Sequence, residues 1–221
     1  MDRDRSYLSF LQWTLIVIGV SLLGFWAGSR FQGWIGGNAE IDRFERARAE
    51  VRSSAVQPTT EESLPLERPV DTSLWAEDRI EEYEESLDHK FDAPLAILRI
   101  GKIDLEVAVL AGTTELVLNR GVGHITGTPL PGEAGNVGIA GHRDGYFRGL
   151  KDIVVGDVIE METLTGGSNY TITETWIVEP PDVWVLEPTE TTSITLVTCY
   201  PFYYSGSAPQ RFIVRAVRIS D

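Results

Sequence analysis

The pattern of hydrophobic and polar positions changes twice along the chain and divides it into three segments. The first holds an uncharged run from Leu8 to Ala27, LSFLQWTLIVIGVSLLGFWA, long enough to cross the hydrocarbon core of a membrane as a helix. Residues 31–72 are mostly polar, with few large apolar side chains. Residues 73–221 carry short apolar or alternating runs typical of strands. We therefore predict a cytoplasmic tip and transmembrane anchor over 1–30, a polar stalk or linker over 31–72, and a folded domain over 73–221.

Charges around the apolar run predict its orientation. Arg3 and Arg5 precede the run, and Trp13 and Trp26 lie near its ends, where aromatic rings favour the membrane interface. The alternative is a cleaved signal peptide, but the following WAGSRFQG matches an A-x-A cleavage site poorly. We expect a single-pass protein of the plasma (inner) membrane, with a cytoplasmic N-terminus and an extracytoplasmic domain.

The sequence predicts that the domain is all-β. Its predicted strands are LAILRI, LEVAVL, NVGIAG, DVIEME, NYTITETWIV, VWVL, SITLVT and RFIVRAVRI, separated by Gly- and Pro-rich turns. A Gly166-Gly167 turn predicts a hairpin. One helix is predicted before the strands, over Leu74–Leu87, capped by Asp71-Thr72-Ser73 and docked through its apolar stripe. Many short strands with little helix predict a closed barrel or a sandwich.

The charge and the cysteine count exclude some classes of function. The net charge of −14 disfavours nucleic acid, because phosphate binding needs clustered Lys and Arg. The single cysteine, Cys199, cannot form an intramolecular disulfide or a multi-cysteine zinc site. It is either a buried, inert thiol or a nucleophile.

Three reactive residue types lie at strand ends. His142 ends one apolar strand, Cys199 ends another in SITLVTC, and Arg211 begins RFIVRA. A His beside a thiol can act as general acid and base, and an Arg can donate hydrogen bonds to a developing oxyanion. Together these residue types suit acyl transfer through a thioester. In the alternative, His142 is a hydrogen-bonded rim residue and Arg211 a surface charge.

The strings TLVTC and APQR, with GHR upstream, resemble the sortase family of membrane-anchored cysteine transpeptidases, and most of all its class D branch. Arg211 follows Cys199 by 12 residues, as in the family pattern. The resemblance implies an eight-stranded β-barrel. It also implies that Cys199 is the nucleophile, His142 the general acid and base, and Arg211 the oxyanion and substrate donor. Thr198 would line the substrate groove.

The resemblance implies partners as well. The substrate would be a protein with an LPxTG-like C-terminal sorting signal, and the acceptor an amine of a cell-wall precursor or of another protein at the cell envelope. No cofactor is expected. Some sortases use calcium, but the loop acids Glu187 and Glu190 are only the weakest of candidate ligands, and we predict no metal site.

Some alternatives stay open. His124, in GVGHITG, is either a substrate-binding residue near the groove or a structural loop histidine. The domain could be a cysteine hydrolase on the same scaffold, or a non-enzymatic, membrane-tethered binding domain. An L,D-transpeptidase is disfavoured, because that class carries a Gly-Cys-x-Arg string, whereas here Thr198 precedes the cysteine.

Overall fold

A closed barrel of eight β-strands forms the centre of the computed structural model, which describes residues 38–55, 70–204 and 206–219. The strands are β1 (Ala96–Ile100), β2 (Leu105–Ala111), β3 (Val122–His124), β4 (Asn136–Ala140), β5 (Val158–Thr163), β6 (Gly166–Val178), β7 (Ser193–Tyr200) and β8 (Gln210–Arg218). Around the barrel their order is β1-β2-β3-β4-β7-β8-β6-β5. The predicted eight-stranded barrel with short helices is confirmed.

Two of the strand pairings are parallel, β2 with β3 and β4 with β7, and the other pairings are antiparallel. The β5–β6 hairpin is present as predicted, but its turn lies at Leu164 and Thr165, and Gly166 and Gly167 already pair with β5. The hairpin lies between β4 and β7 in sequence, as a parallel pair requires a long connection.

Side chains inside the barrel form the main core. Leu98, Ile139, Leu196 and Val214 are fully buried there. The outer face of β7 is also covered, because Val197 packs against a second cluster that contains Val178, Val185 and Ile213. With both faces covered, β7 is buried from Ser193 to Leu196 and again at Thr198, although Ser193, Thr195 and Thr198 are polar.

The cover over β7 comes from Val183–Leu186, which is a 3-10 turn. The prediction of a strand for VWVL was therefore wrong. The run lies between Pro181 and Pro188 and is too short to reach a partner strand, and Val185 instead inserts into the outer cluster.

A helix, α1 (Asn38–Ala55), packs against the barrel. Its Phe44 is fully buried, and its Glu40 accepts hydrogen bonds from Arg120 Nε and Nη2 at 3.1 and 3.0 Å. Arg48 is ion-paired with Glu162 on β5. This part of the expected stalk thus differs from a solvated segment, because the side chains of Phe44, Glu40 and Arg48 anchor it to the domain.

Two shorter helices follow, α2 (Glu77–Ser86) and α3 (Glu115–Arg120). Docking of α2 through its apolar side occurs as predicted: Tyr83 is buried, and the Trp75 ring before the helix meets the Tyr146 ring edge to face at 4.7 Å. The helix begins later than predicted, with Ala76 rather than Asp71–Ser73 at its N-cap. Ala76 N–H instead donates to Asp144 O at 3.2 Å.

The predicted transmembrane segment, Leu8–Ala27, lies outside the described residues. Among the helices within 38–55, 70–204 and 206–219, none combines the length and apolar character that spanning a bilayer requires. In the same residues, no group of three or more His, Cys, Asp or Glu side chains is arranged to hold a metal ion.

Candidate active site

The parallel pairing of β4 with β7 brings two predicted site residues to the same end of adjacent strands. The ladder runs from Asn136↔Ser193 to Ala140↔Val197. It continues one step further, since Gly141 N–H donates to Val197 O at 3.1 Å. The next residues in this register are His142 after β4 and Cys199 on β7. They are therefore neighbours at the strand ends although they are far apart in sequence.

Arg211 joins them from the other side of β7. It is the direct antiparallel partner of Cys199 in the β7–β8 ladder. Residues directly opposite each other in such a pair carry their side chains on the same face of the sheet. Three consecutive strands of the barrel, β4, β7 and β8, thus carry the histidine, the thiol and the guanidinium.

The thiol and the guanidinium are both partly exposed. Cys199 is a free cysteine. Arg211 Nη1 donates to the carbonyls of Ala208 and Gln210, at 3.3 and 2.9 Å, which fixes the guanidinium beside its own strand. Because an arginine has five N–H donors, other N–H groups of Arg211 can still bind the oxygen of a ligand.

The imidazole of His142 is mostly buried, with 16% of the side chain exposed. Burial lowers the pKa of His142 below its usual value, and the Arg79 guanidinium lowers it further, while Glu115 and Asp144 raise it. The imidazole is therefore mainly neutral near neutral pH. A neutral imidazole can accept the proton of a thiol.

The segment after His142 holds the loop that follows Cys199. Arg143 Nη2 donates to the carbonyls of Tyr204 and Gly206, at 2.7 and 3.0 Å. Arg148 Nη1 donates to Phe202 O at 2.5 Å, and its guanidinium lies over the Tyr203 ring. The two strand ends are thereby fastened to each other. Sequence reasoning missed both arginines, although their proximity to His142 in HRDGYFR was a usable signal.

Thr198 is almost fully buried, with 2% of the residue exposed. Its hydroxyl donates to Gly141 O at 2.7 Å. A threonine hydroxyl has one hydrogen to donate, so that donor is used within the protein. The contact ties β7 to the residue before His142, which differs from the groove-lining role expected for the Thr198 side chain.

His124 is the last residue of β3 rather than part of a loop, and it is 6% exposed. Its Nε2 lies 3.0 Å from Pro129 O and 3.1 Å from Thr128 Oγ1. Thr128 Oγ1 also accepts from Gly138 N–H, on β4. Of the two alternatives for His124, these contacts favour a structural role.

We accordingly expect His124→Asn to change the turnover rate by no more than a few-fold, because the substitution removes a structural contact and no group that faces substrate. Steady-state rates for the variant and the parent protein check this. A loss of a hundredfold in kcat, with an unchanged unfolding transition, would assign His124 to the chemistry instead.

A closed barrel that presents cysteine, histidine and arginine on adjacent strand ends defines a cysteine enzyme of the acyl-transfer type. A family model for the sortase domain matches residues 98–219. The chain belongs to the sortase family, whose homologues are cysteine transpeptidases.

Two class D sortases are among the proteins similar to this chain. Sortase D of Bacillus subtilis is 36% identical over 125 residues, which is 56% of this chain and 63% of that protein. The structure of a Clostridium perfringens sortase D5 transpeptidase aligns with a TM-score of 0.54 and 34% identity, and covers 63% of this chain and 88% of that one. Sortase E1 from Streptomyces coelicolor aligns with a TM-score of 0.52 and 32% identity over 57% of this chain and 88% of that one.

Proposed function

We propose that this chain is a membrane-anchored transpeptidase. It cleaves an LPxTG-like sorting signal through a Cys199 thioester and transfers the acyl group to an amine at the cell envelope. One observation carries the proposal. Cys199 and Arg211 are direct partners across β7 and β8, and His142 follows β4 at the level of Cys199.

In the first half of the reaction, the Cys199 thiolate attacks the carbonyl carbon after the threonine of the signal. The carbonyl oxygen becomes an oxyanion, to which Arg211 N–H groups donate. The C–N bond then breaks, and protonated His142 gives its proton to the leaving amine. The products are a thioester on Cys199 and the released C-terminal fragment of the substrate.

In the second half, an acceptor amine attacks the thioester carbonyl and loses a proton to His142. The C–S bond breaks, the new amide leaves, and Cys199 is regenerated as a thiolate beside protonated His142. The lowered pKa of His142 means that its neutral form predominates at rest. Only a small thiolate–imidazolium fraction is then active, so we expect a bell-shaped dependence of rate on pH.

Two relatives lend support to this proposal. The Clostridium perfringens protein is described as a transpeptidase, and the Streptomyces coelicolor structure carries a tripeptide in its active site. For the present chain we propose substrate proteins with an LPxTG-like C-terminal signal, and an acceptor amine from a cell-wall precursor or another protein. Anchoring by residues 8–27 would hold the domain on the outer side of the plasma membrane.

A hydrolase on the same scaffold is the second candidate. In that case water resolves the thioester. Adding an acceptor amine distinguishes the two functions. A transpeptidase then makes the amide product and turns over faster, whereas a hydrolase makes only the free acid.

The test of the proposal is the acyl-enzyme itself. The 221-residue chain, in detergent, is incubated with a pool of LPxTG-like peptides and followed by intact mass. We expect an adduct equal to the peptide minus its C-terminal fragment, absent in Cys199→Ala and removed by hydroxylamine. If no adduct forms while Cys199 still reacts with an alkylating agent, the substrate class is wrong. If folded protein does not react with the alkylating agent, the nucleophile is wrong.

A further inference from the structure

Helices α2 and α3 surround His142 with charged side chains. Arg79 lies on α2, Glu115 begins α3, and Asp144 belongs to the turn after His142. The neighbouring strands contribute Cys199 on β7 and Arg211 on β8. Arg79 lies outside the part of the chain that the family model matches. The surroundings of the histidine therefore include an element that is not part of the barrel.

Arg79 is the centre of this charged group. Its side chain is only 12% exposed, and Nε donates to Asp144 Oδ1 at 3.2 Å. Nη1 donates to Asn119 on α3 and to Glu82, and it lies 3.7 Å from Glu115 Oε1. One guanidinium thus binds the turn that carries His142 and the helix that carries Glu115.

The backbone supports the same arrangement. Ala76 N–H, at the start of α2, donates to Asp144 O at 3.2 Å. The Arg79 stem lies next to Gly145, because a Cβ at Gly145 would be in ordinary van der Waals contact with Arg79 Cγ at 3.4 Å and with His142 Cβ at 3.6 Å. The stem of Arg79 therefore passes directly beside the histidine turn.

Glu115 approaches the imidazole itself. Its Oε1 lies 3.2 Å from His142 Nε2, close enough for an ion pair once the imidazole is protonated. Nε2 is buried and makes no hydrogen bond among the described residues, so the Glu115 carboxylate is a group placed to stabilise a proton on Nε2. Enzymes with a nucleophile and a base often orient the base with a third group.

We infer that Arg79 and Glu115 are positioning residues for His142: Arg79 fastens Asp144 and Glu115 around the imidazole, and Glu115 stabilises its protonated form through Nε2. The inference rests on the proposed function, since it assigns these residues to the same acid–base step. It also means that α2 contributes to catalysis by positioning His142, and does not only connect the preceding segment to the barrel.

The two residues act on the imidazole with opposite sign. Arg79 lowers the pKa of His142 by charge repulsion, and Glu115 raises it by attraction. Removing Arg79 takes away a cation and also frees Asp144 and Glu115, so the pKa of His142 should rise. Removing Glu115 takes away an anion, so the pKa of His142 should fall.

The first experiment measures the protonation of His142 directly. The 221-residue chain contains 3 histidines, so a histidine-labelled sample gives few NMR signals, and His142→Gln identifies the one of interest. We expect the His142 titration to move up in pH in Arg79→Gln and down in Glu115→Gln. The controls are Arg48→Gln, a helix arginine of similar exposure that pairs with Glu162, and exposed Glu174→Gln. Neither should move the signal.

The second experiment separates positioning from folding by rate. Arg79→Gln and Glu115→Gln should each lower kcat by about tenfold or more with KM little changed, since the loss falls on proton transfer. Arg79→Lys and Glu115→Asp, which keep the charges, should recover part of that loss. Because Glu115 is 68% exposed, its substitution does not threaten folding.

The inference is overturned if the His142 titration does not move in Arg79→Gln and Glu115→Gln, or if it moves in the same direction in both. It is also overturned if kcat of these variants stays within twofold of the parent. The proposed function fails differently. If the parent protein never forms the thioester, the proposed function is wrong and the rates no longer report on transpeptidation. The NMR titrations still show whether Arg79 and Glu115 change the protonation of His142.

Discussion

Arg211→Ala is expected to lower kcat/KM for the sorting peptide by about 10²–10³-fold, the usual loss when an oxyanion donor is removed. The guanidinium lies directly across from Cys199 in the β7–β8 ladder, and Nη1 is fixed by the carbonyls of Ala208 and Gln210. Its remaining N–H groups can therefore meet a developing oxyanion with little reorganisation. Alanine removes these donors and leaves the thiol in place.

The measurement pairs two rates on the same protein. Peptide turnover should fall by that factor, whereas alkylation of Cys199 by a small reagent should change only slightly, because alkylation forms no oxyanion. Arg218→Ala is the matched control, since Arg218 is an exposed arginine at the other end of β8. Equal losses in turnover and alkylation would mean that Arg211 supports the thiol rather than the oxyanion.

The second large effect concerns stability. Glu40 and Arg120 form an ion pair with side chains only 2% and 3% exposed, and it joins α1 to α3. Removing one partner of a buried pair leaves the other charge without compensation, which costs about 3–5 kcal/mol. We expect Glu40→Gln to lower the free energy of unfolding by an amount in this range.

Urea unfolding of the 221-residue chain measures the loss as a lower midpoint at an unchanged slope. Exposed Glu81→Gln, on α2, serves as control. The double variant Glu40→Leu with Arg120→Met should recover most of the stability, since apolar residues can replace a buried pair. A loss below about 1 kcal/mol for Glu40→Gln would show that α1 contributes little to the folded domain.

Short-range patterns explain why so much of the barrel could be predicted. Strands such as β1, β4 and β8 alternate or stay apolar over their length, and Gly or Pro marks their ends. Where the pattern was too short, prediction failed. The three residues of β3 have no period, and Val183–Leu186 has strand-forming residue types without a partner strand.

Helix α1 illustrates a different limit. Its sequence is mostly charged, and nothing local distinguishes Glu40 from the other acidic residues around it. Only Arg120, which is 80 residues further on, gives Glu40 a reason to be buried. A contact of that range cannot be read from composition, so the sequence did not predict that this helix packs against the barrel.

The residues of the candidate site also differ in how well the sequence could predict them. Cys199, His142 and Arg211 could be predicted as site residues because each occurs in a specific string at a strand end. Arg79 and Glu115 could not be found, because both belong to acidic or mixed stretches in which many similar charges face solvent. Their relation to His142 appears only when α2 and α3 dock beside the turn after β4.

The parallel pairing of β4 with β7 also determines when chemistry becomes possible during folding. The Thr198–Gly141 hydrogen bond joins residues 57 positions apart. Closing so long a stretch of chain costs entropy, and pairings at this range form slowly. Before that closure, Cys199 has no fixed imidazole beside it. A newly made or partly folded chain therefore carries its thiol without the imidazole that the proposed reaction requires.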